Sequence, residues 1–301
     1  MISSQDYIEE IAPAKINLYL HVGGIRPDGL HDLASLFCFA DVGDVIGVRQ
    51  ADTLSLSITG PFAHVLSAEP VERNLVWRAA EALAAAAGCA PAVQITLDKR
   101  LPIAAGIGGG SSDAAATLRA LVRLWGLDIS ASQLARIAFE LGADVPACLF
   151  RQPVLVRGAG EQISNVPALA PCAVCLINPL IETPTGRIFS AFDKDNPHPE
   201  PPLPFDGDAK AYDGLIQMMH ETRNDLEPYA MALRPAVEHV RTFLSAQPGC
   251  SFARMSGSGA SVFGLFSSFE AAKRSEIAAS GSGWWASAAQ IYDSDGVNGL
   301  H

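Results

Sequence analysis

Between Ala14 and Val22 apolar and polar residues alternate, so that Ala14, Ile16, Leu18, Leu20 and Val22 share one face of an extended segment while Lys15, Asn17, Tyr19 and His21 share the other. The pattern predicts a half-buried strand with a polar working face. Arg26-Pro27-Asp28-Gly29 supplies a turn, and Ala34 to Ala40 resumes as an apolar strand, giving a hairpin-like unit. Further strands are predicted over Asp44 to Gln50, Thr53 to Ile58 and Val93 to Leu97. Asn74 is placed to cap a helix that runs through Leu75, Trp77, Ala80 and Leu83 and stops at Gly88.

After Leu101-Pro102 a glycine-rich loop leads into a helix from about Asp113 to Trp125, and a second helix, about Ser132 to Leu141, ends at Gly142. The C-terminal third predicts a helix from about Met231 to Ser245, a strand Phe252 to Met255, a second glycine turn, a strand Ser261 to Phe266 and a helix from about Phe269. Strands and helices alternate irregularly, which makes the class α+β. Asp193 to Asp208, with the run Pro197-His198-Pro199-Glu200-Pro201-Pro202, reads as an excursion without a core of its own.

Length and composition set the scale. With 301 residues, 49% hydrophobic and 18% charged, the chain has apolar material for two domains, assigned to 1–165 and 166–301. The net charge of −11 argues against nucleic acid as a partner, because phosphate backbones are held by a lysine and arginine surplus. An anionic ligand must be held locally, by backbone N–H groups, helix N-termini and a few placed cations. The uncharged stretches Ala82 to Leu97 and Gln162 to Ile181 are interrupted by Gly88 and Pro91 and by Pro167, Pro171 and Pro179, so neither reads as a membrane span. The opening MISSQDYIEE has neither a secretory nor a transit-peptide layout, which points to a cytoplasmic protein, monomer or homodimer. The cysteines at 38, 89, 148, 172, 175 and 250 sit mostly in apolar runs and read as buried free thiols. Cys172-x-x-Cys175 lies in what looks like a core strand, with no second pair at metal-ligand spacing.

The chemistry concentrates in Leu101-Pro-Ile-Ala-Ala-Gly-Ile-Gly-Gly-Gly-Ser-Ser-Asp113, between a strand and an alanine-rich helix. Glycines at 106, 108, 109 and 110 let the backbone approach a ligand and turn N–H groups inward, while Ser111 and Ser112 add hydroxyls at a helix N-terminus. A strand, a glycine turn and a helix in that order make a phosphate cradle. No Gly-Lys-Ser/Thr follows, as a P-loop requires, and Ser111 stands where Gly-x-Gly-x-x-Gly needs its last glycine. A bare glycine run would equally serve as a flexible tight turn.

This Pro-x-x-x-Gly-x-Gly-Gly-Gly-Ser-Ser-Asp-Ala-Ala segment resembles the second signature motif of the GHMP kinases, Pro13-Ala-Lys-Ile-Asn-Leu18 resembles their N-terminal motif, and Met255-Ser-Gly-Ser-Gly-Ala-Ser261 their C-terminal glycine motif. The three are in order and span nearly the whole chain. The resemblance implies a two-domain GHMP kinase fold, with a ribosomal S5 domain 2-like N-terminal domain and a ferredoxin-like C-terminal domain, and ATP with Mg2+ as cofactors. Ala12-Pro-Ala-Lys-Ile-Asn-Leu-Tyr-Leu20, Arg26-Pro-Asp-Gly-Leu-His-Asp32, Leu141-Gly-Ala-Asp-Val-Pro146 and Asn224-Asp-Leu-Glu-Pro228 resemble the diphosphocytidyl-methylerythritol kinases more than the homoserine, mevalonate or galactose kinases. That implies a small-molecule substrate, a cytidine diphosphate-linked methylerythritol phosphorylated at its tertiary 2-hydroxyl on the non-mevalonate route to isoprenoids. Alternatives are a homoserine- or mevalonate-type kinase and a non-catalytic nucleotide or metabolite sensor; a sensor is expected to lose Lys15 or Asp144, and both are present.

Phosphoryl transfer to an alcohol needs positioning, charge neutralisation and an acceptor for the hydroxyl proton. Alone, Asp144 before Val-Pro reads as a helix N-cap; the family match makes it the catalytic base, with Lys15, otherwise a solvated lysine, assisting. The same match assigns Pro102, Ala105, Gly106, Gly108, Gly109, Gly110, Ser111 and Ser112 to ATP, with Ser112 touching Mg2+, and Asn17, His31, Gly257, Ser258 and Gly259 to substrate. Leu30 stands where many relatives carry tyrosine, removing a ring that stacks on cytosine. Phe189 is nominated to compensate, with a core phenylalanine as the plain alternative.

Overall fold

The computed structural model describes residues 7–196 and 208–292. The chain divides into two compact units: one built from the chain up to Ala14, Gly43–Ile103 and Gly108–Phe150, the other from Lys15–Val42, Ala104–Ile107 and the chain from Arg151 onward. The two longest strands, β1 (Tyr7–Ile25) and β2 (His31–Gln50), pair with each other and contribute to both units.

The predicted strand at 14–22 is part of β1, and the correction concerns its polar face. Lys15, Asn17 and Tyr19 are as enclosed as Ile16 and Leu18, at 3% exposure or less, so this face serves interior hydrogen bonds rather than solvent. The strands expected separately at 34–40 and 44–50 are one. Gly43 is no break: a Cβ there would lie 2.3 Å from the Ala12 carbonyl oxygen, so only glycine lets the two backbones approach. Asp44 is fully buried.

In the first unit β3 (Ser55–Thr59) connects through a short helix α1 (Ala63–Leu66) and α2 (Leu75–Ala87) to β4 (Val93–Asp98), which lies parallel to β3 and antiparallel to residues 45–50 of β2. Parallel neighbours require such a helical crossover. As the sequence predicts, the Asn74 side chain accepts from the Val76 N–H at 2.9 Å and Gly88 ends α2 in the left-handed conformation. Helix α3 (Gly109–Leu124) begins four residues before the expected Asp113, because Gly108, at φ +64°, takes the N-cap position and its carbonyl accepts from the Ser112 N–H at 2.8 Å. Alanines 79, 80 and 84 of α2 and 114, 115, 116 and 120 of α3 are buried, and such small side chains let packed helices approach closely. Helix α4 (Ala131–Leu141) starts at a Ser130/Gln133 capping box, and α5 (Val145–Cys148) is a single turn with Pro146 near its start.

In the second unit β5 (Val154–Gly158) pairs with residues 33–37 of β2 and with β6 (Gln162–Asn165). Then follow β7 (Ala173–Asn178), α6 (Thr185–Asp195), α7 (Tyr212–Glu221), α8 (Glu227–Leu233), α9 (Pro235–Ser245), β8 (Cys250–Met255), β9 (Val262–Phe266), α10 (Phe269–Ala278) and β10 (Trp285–Gln290). The antiparallel sheet runs β10-β7-β9-β8. Counting strands along the chain this order is fourth, first, third, second, the ferredoxin-like arrangement. Cys175, Ile177, Val262 and Phe266 of the sheet and Val237, Val240 and Leu244 of α9 form its core. The single helix expected over 231–245 is two, because Pro235 lacks an N–H and is tolerated only as the first residue of a new helix. Burial pushes the Cys172 and Cys175 thiols up to about 12, so they stay protonated within the core. Most of the proline-rich excursion, residues 197–207, lies outside the described residues.

Candidate active site

In the first unit the N–H groups of Gly109, Gly110 and Ser111 precede the first hydrogen bond of α3, and Gly110 is exposed. This is the anion-binding end of a sixteen-residue helix, where aligned peptide dipoles favour negative charge. The two serines part company. Ser111 is half-buried, whereas Ser112 is fully buried with its hydroxyl on the Cys148 Sγ at 3.5 Å. Ser112, expected at the metal, points into the protein, and Ser111 is the hydroxyl on the accessible side. Pro102 is likewise buried and anchors the loop rather than lining its open face.

Beneath this helix end lies a network that the sequence did not disclose. Lys99 donates to Asp44 and, at 2.7 Å, to Asp113; Asp44 also accepts from the backbone N–H groups of Arg100 and Leu101 at 2.6 and 2.8 Å. All three side chains are at least 95% buried. Burial pulls the Lys99 ammonium down, but the Asp113 and Asp44 carboxylates outweigh it and hold it above its ordinary value. Burial pushes the Asp113 carboxyl up to about 8, against the pull of Lys99, and Asp44 adds to the rise. Lys99 was not singled out from the sequence; the available signal is a lysine directly before the glycine loop.

In the second unit Lys15 Nζ donates to Asn17 Oδ1 at 2.8 Å and lies 4.3 Å from the Phe37 ring centroid. Asn17 in turn donates from Nδ2 to Ser35 Oγ at 2.9 Å, and its backbone N–H reaches Ser256 Oγ at 3.0 Å. The predicted Lys15–Asn17 pair is therefore brought together, and Ser35, Phe37 and Ser256 are the partners sequence reasoning missed. Residues 104–107 thread against the same group: the Lys15 N–H donates to Ile107 O at 2.9 Å, Ser256 Oγ to Gly106 O at 2.9 Å, and the Ser261 N–H to Ala105 O at 3.0 Å. At Gly106, φ +72°, a Cβ would sit 2.4 Å from Ser256 O and 2.8 Å from Gly259 N. Gly106 is thus glycine for packing against the second glycine turn, and Ala105 is buried beside it. In that turn Asn224 Nδ2 holds the Met255 and Gly257 carbonyls at 2.9 and 2.8 Å, Gly259 leaves room for Met255 Sδ, and the Ser258 and Thr185 hydroxyls bond at 2.8 Å.

His31 and Phe189 also meet in the second unit. Their ring centroids are 4.6 Å apart at an interplanar angle of 33°, and His31 Nε2 bonds Asp193 Oδ1 at 2.7 Å. Rings this close leave no space for a further ring between them. Leu30 is 49% exposed beside this pair in sequence. Asp144, in the first unit, occupies the N-cap position of α5 and makes no side-chain capping hydrogen bond to it.

Residues 74–152 match the GHMP kinases N terminal domain and residues 207–280 the GHMP kinases C terminal domain. A 4-diphosphocytidyl-2-C-methyl-D-erythritol kinase of Jannaschia sp. (strain CCS1) is 46% identical over 281 residues, 93% of this chain and 96% of that protein. A crystal structure of 4-(cytidine 5'-diphospho)-2C-methyl-D-erythritol kinase superposes with a TM-score of 0.78 at 32% identity, covering 94% of this chain and 99% of that one. A homoserine kinase from Cytophaga hutchinsonii ATCC 33406 shares the fold, with a TM-score of 0.71 at 20% identity over 98% of both chains. With its glycine loop leading into an exposed helix end, its ferredoxin-like sheet and relatives along nearly its full length, the chain belongs to the GHMP kinases, ATP-dependent phosphotransferases, and within them to the 4-diphosphocytidyl-2-C-methyl-D-erythritol kinase family.

Proposed function

We propose that the protein transfers the γ-phosphoryl group of ATP to the 2-hydroxyl of 4-diphosphocytidyl-2-C-methyl-D-erythritol, in the cytoplasm, on the non-mevalonate route to isoprenoid precursors. Identity of 46% along 96% of a relative bearing that substrate's name carries the proposal; the homoserine kinase likeness, at 20%, extends to fold alone. Residues 1–165 act as the nucleotide-binding domain and 166–301 as its C-terminal partner, a division supported by family matches that fall on either side of it.

Asp144 takes the proton of the attacking hydroxyl. A carboxylate is a suitable acceptor for that proton, and the family match supports it at this position. Lys15, held by Asn17 and seated over Phe37, assists by placing positive charge where the alkoxide develops. The Gly109–Ser111 N–H groups would receive the ATP phosphates, whose charge would be offset in part by Mg2+ bound with the nucleotide. Ser111 is the hydroxyl we assign to that side, since Ser112 is turned inward. His31, Phe189, Gly257, Ser258 and Gly259 bind the acceptor, with an outer face of the His31–Phe189 pair taking over the stacking that Leu30 cannot provide.

A coupled ADP-release assay with Mg-ATP and four acceptors tests the proposal: the cytidylated polyol, the free polyol, homoserine and mevalonate. Turnover is expected with the cytidylated polyol alone. Turnover with homoserine or mevalonate instead overturns the substrate assignment.

A further inference from the structure

The loop from Pro102 to Gly108 has two ends, and one buried network grips both. At its entrance, Asp44 accepts the Arg100 and Leu101 backbone N–H groups. At its exit, Lys99 reaches Asp113, one turn into α3, while its other bond returns to Asp44. The ammonium also lies directly under the first residue of the helix, since a Cβ on Gly109 would approach Lys99 Nζ to 3.1 Å. Moreover, Asp113 Oδ1 is buried without a hydrogen-bond partner among the described residues. Leaving such an atom unsatisfied is costly in a purely structural network.

The geometry points to Lys99, bridged to Asp44 and Asp113, as a positioning residue that fixes the span of the phosphate loop and the attitude of the α3 N-terminus for ATP. A surface lysine near a phosphate would act as a counter-ion. This one is sealed under the helix, so it acts through the backbone: it sets where the Gly109–Ser111 N–H groups stand. Two carboxyl groups hydrogen-bonded to one ammonium hold the junction more firmly than one would, and preorganised donors lose less freedom when an anion arrives. A raised Asp113 carboxyl agrees with this arrangement, because a neutral Asp113 leaves Lys99 and Asp44 as a balanced pair beneath an anion site.

The inference rests on the assignment of ATP phosphates to Gly109–Ser111, so its test uses variants on each. Three are compared with wild type by calorimetric binding of Mg-ATP and of adenosine, by KM for ATP and for the acceptor, and by thermal unfolding. Lys99→Met/Asp113→Asn removes the bridge and leaves Asp44 with its two backbone donors alone, a cost that thermal unfolding reports separately from ATP affinity. Gly109→Ala leaves the network's charges intact and presses a methyl group against the ammonium. Gly110→Asp sets a carboxylate at the helix end where the nearest atom, Leu75 Cδ1, would be 3.6 Å from its Cβ, and probes the phosphate assignment alone.

The network predicts a loss of about tenfold in Mg-ATP affinity for the double variant and a smaller loss for Gly109→Ala, with adenosine affinity and the acceptor KM within about twofold of wild type. If Gly110→Asp loses ATP while the other two bind it as wild type does, the positioning role is overturned and the phosphate assignment stands. If Gly110→Asp binds ATP unchanged, the phosphate assignment falls and the positioning role with it. A parallel fall of melting temperature, adenosine affinity and both KM values in the double variant and in Gly109→Ala would also overturn it, since that pattern belongs to a merely structural network.

Discussion

Gly106 and Gly110 lie four residues apart in one glycine run, in opposite surroundings. Around Gly106, in the second unit, backbone is packed on backbone: a side chain there would drive into Ser256 and Gly259. Around Gly110, in the first unit, the chain is open, with ordinary contact to Leu75 and exposure at a helix N-terminus. A motif that reads as one phosphate cradle is therefore a structural joint at its start and an open, exposed helix end at its finish. The lesson is that small residues in a run report close approach, while what approaches is decided by tertiary structure.

The largest expected effect separates chemistry from both glycine regions. Asp144→Asn removes the proton acceptor and should lower turnover by about 10² to 10⁴, with ATP affinity unchanged. Steady-state kinetics beside calorimetry checks this, and wild-type-like turnover would remove Asp144 from the role of base. The glycine comparison itself is tested next by thermal unfolding of two alanine variants. Gly106→Ala meets both a steric clash and a left-handed φ, and should cost about 3 kcal/mol or more. Gly110→Ala gains helix propensity of up to about 1 kcal/mol and should leave stability equal or improved. Equal losses at both positions would break the contrast.

A third effect, read against pH, concerns the ionic network. The Asp113 carboxyl stands at about 8 in the folded protein, against about 3.9 for an unfolded aspartate. Across that window the native state binds the extra proton, so the Asp113 contribution to stability is fully present below the unfolded value and is lost as pH rises towards 8. Asp113→Asn should therefore gain on wild type steadily from about pH 4 to pH 8 and level off above. Urea titrations of both proteins at a series of pH values measure the difference. A gap that does not change with pH would show that the carboxyl titrates alike in both states.

Where the sequence was legible, the information was local. Asn74 and Gly88 bracket α2 because capping depends on a few adjacent residues, and the alternation at 14–22 marks β1 wherever the rest of the chain goes. Burial of the polar face of β1 was not legible, since it depends on Ser35 and Ser256 being brought to Asn17 across 18 and 239 positions. Residues 34–40 and 44–50 read as two strands for the same reason: Ala12, which requires Gly43, and Lys99, which pairs with Asp44, are remote in sequence. Helices α6 and α7 escaped notice, the first beginning at a Thr-Pro-Thr-Gly stretch that reads as loop. Of the candidate residues, Lys15 with Asn17 and His31 with Phe189 are brought into contact, whereas Ser112 faces inward because helix α3 begins earlier than its polar residues suggested.

The most direct test of the substrate assignment is the proton-coupled phosphorus-31 spectrum of the product formed from Mg-ATP and 4-diphosphocytidyl-2-C-methyl-D-erythritol. The 2-hydroxyl is tertiary, so phosphorylation there places no hydrogen on the carbon bearing the new ester, and the account predicts a phosphomonoester singlet alongside the intact diphosphate signals. A monoester split by neighbouring methylene or methine protons, or no monoester at all, would contradict it.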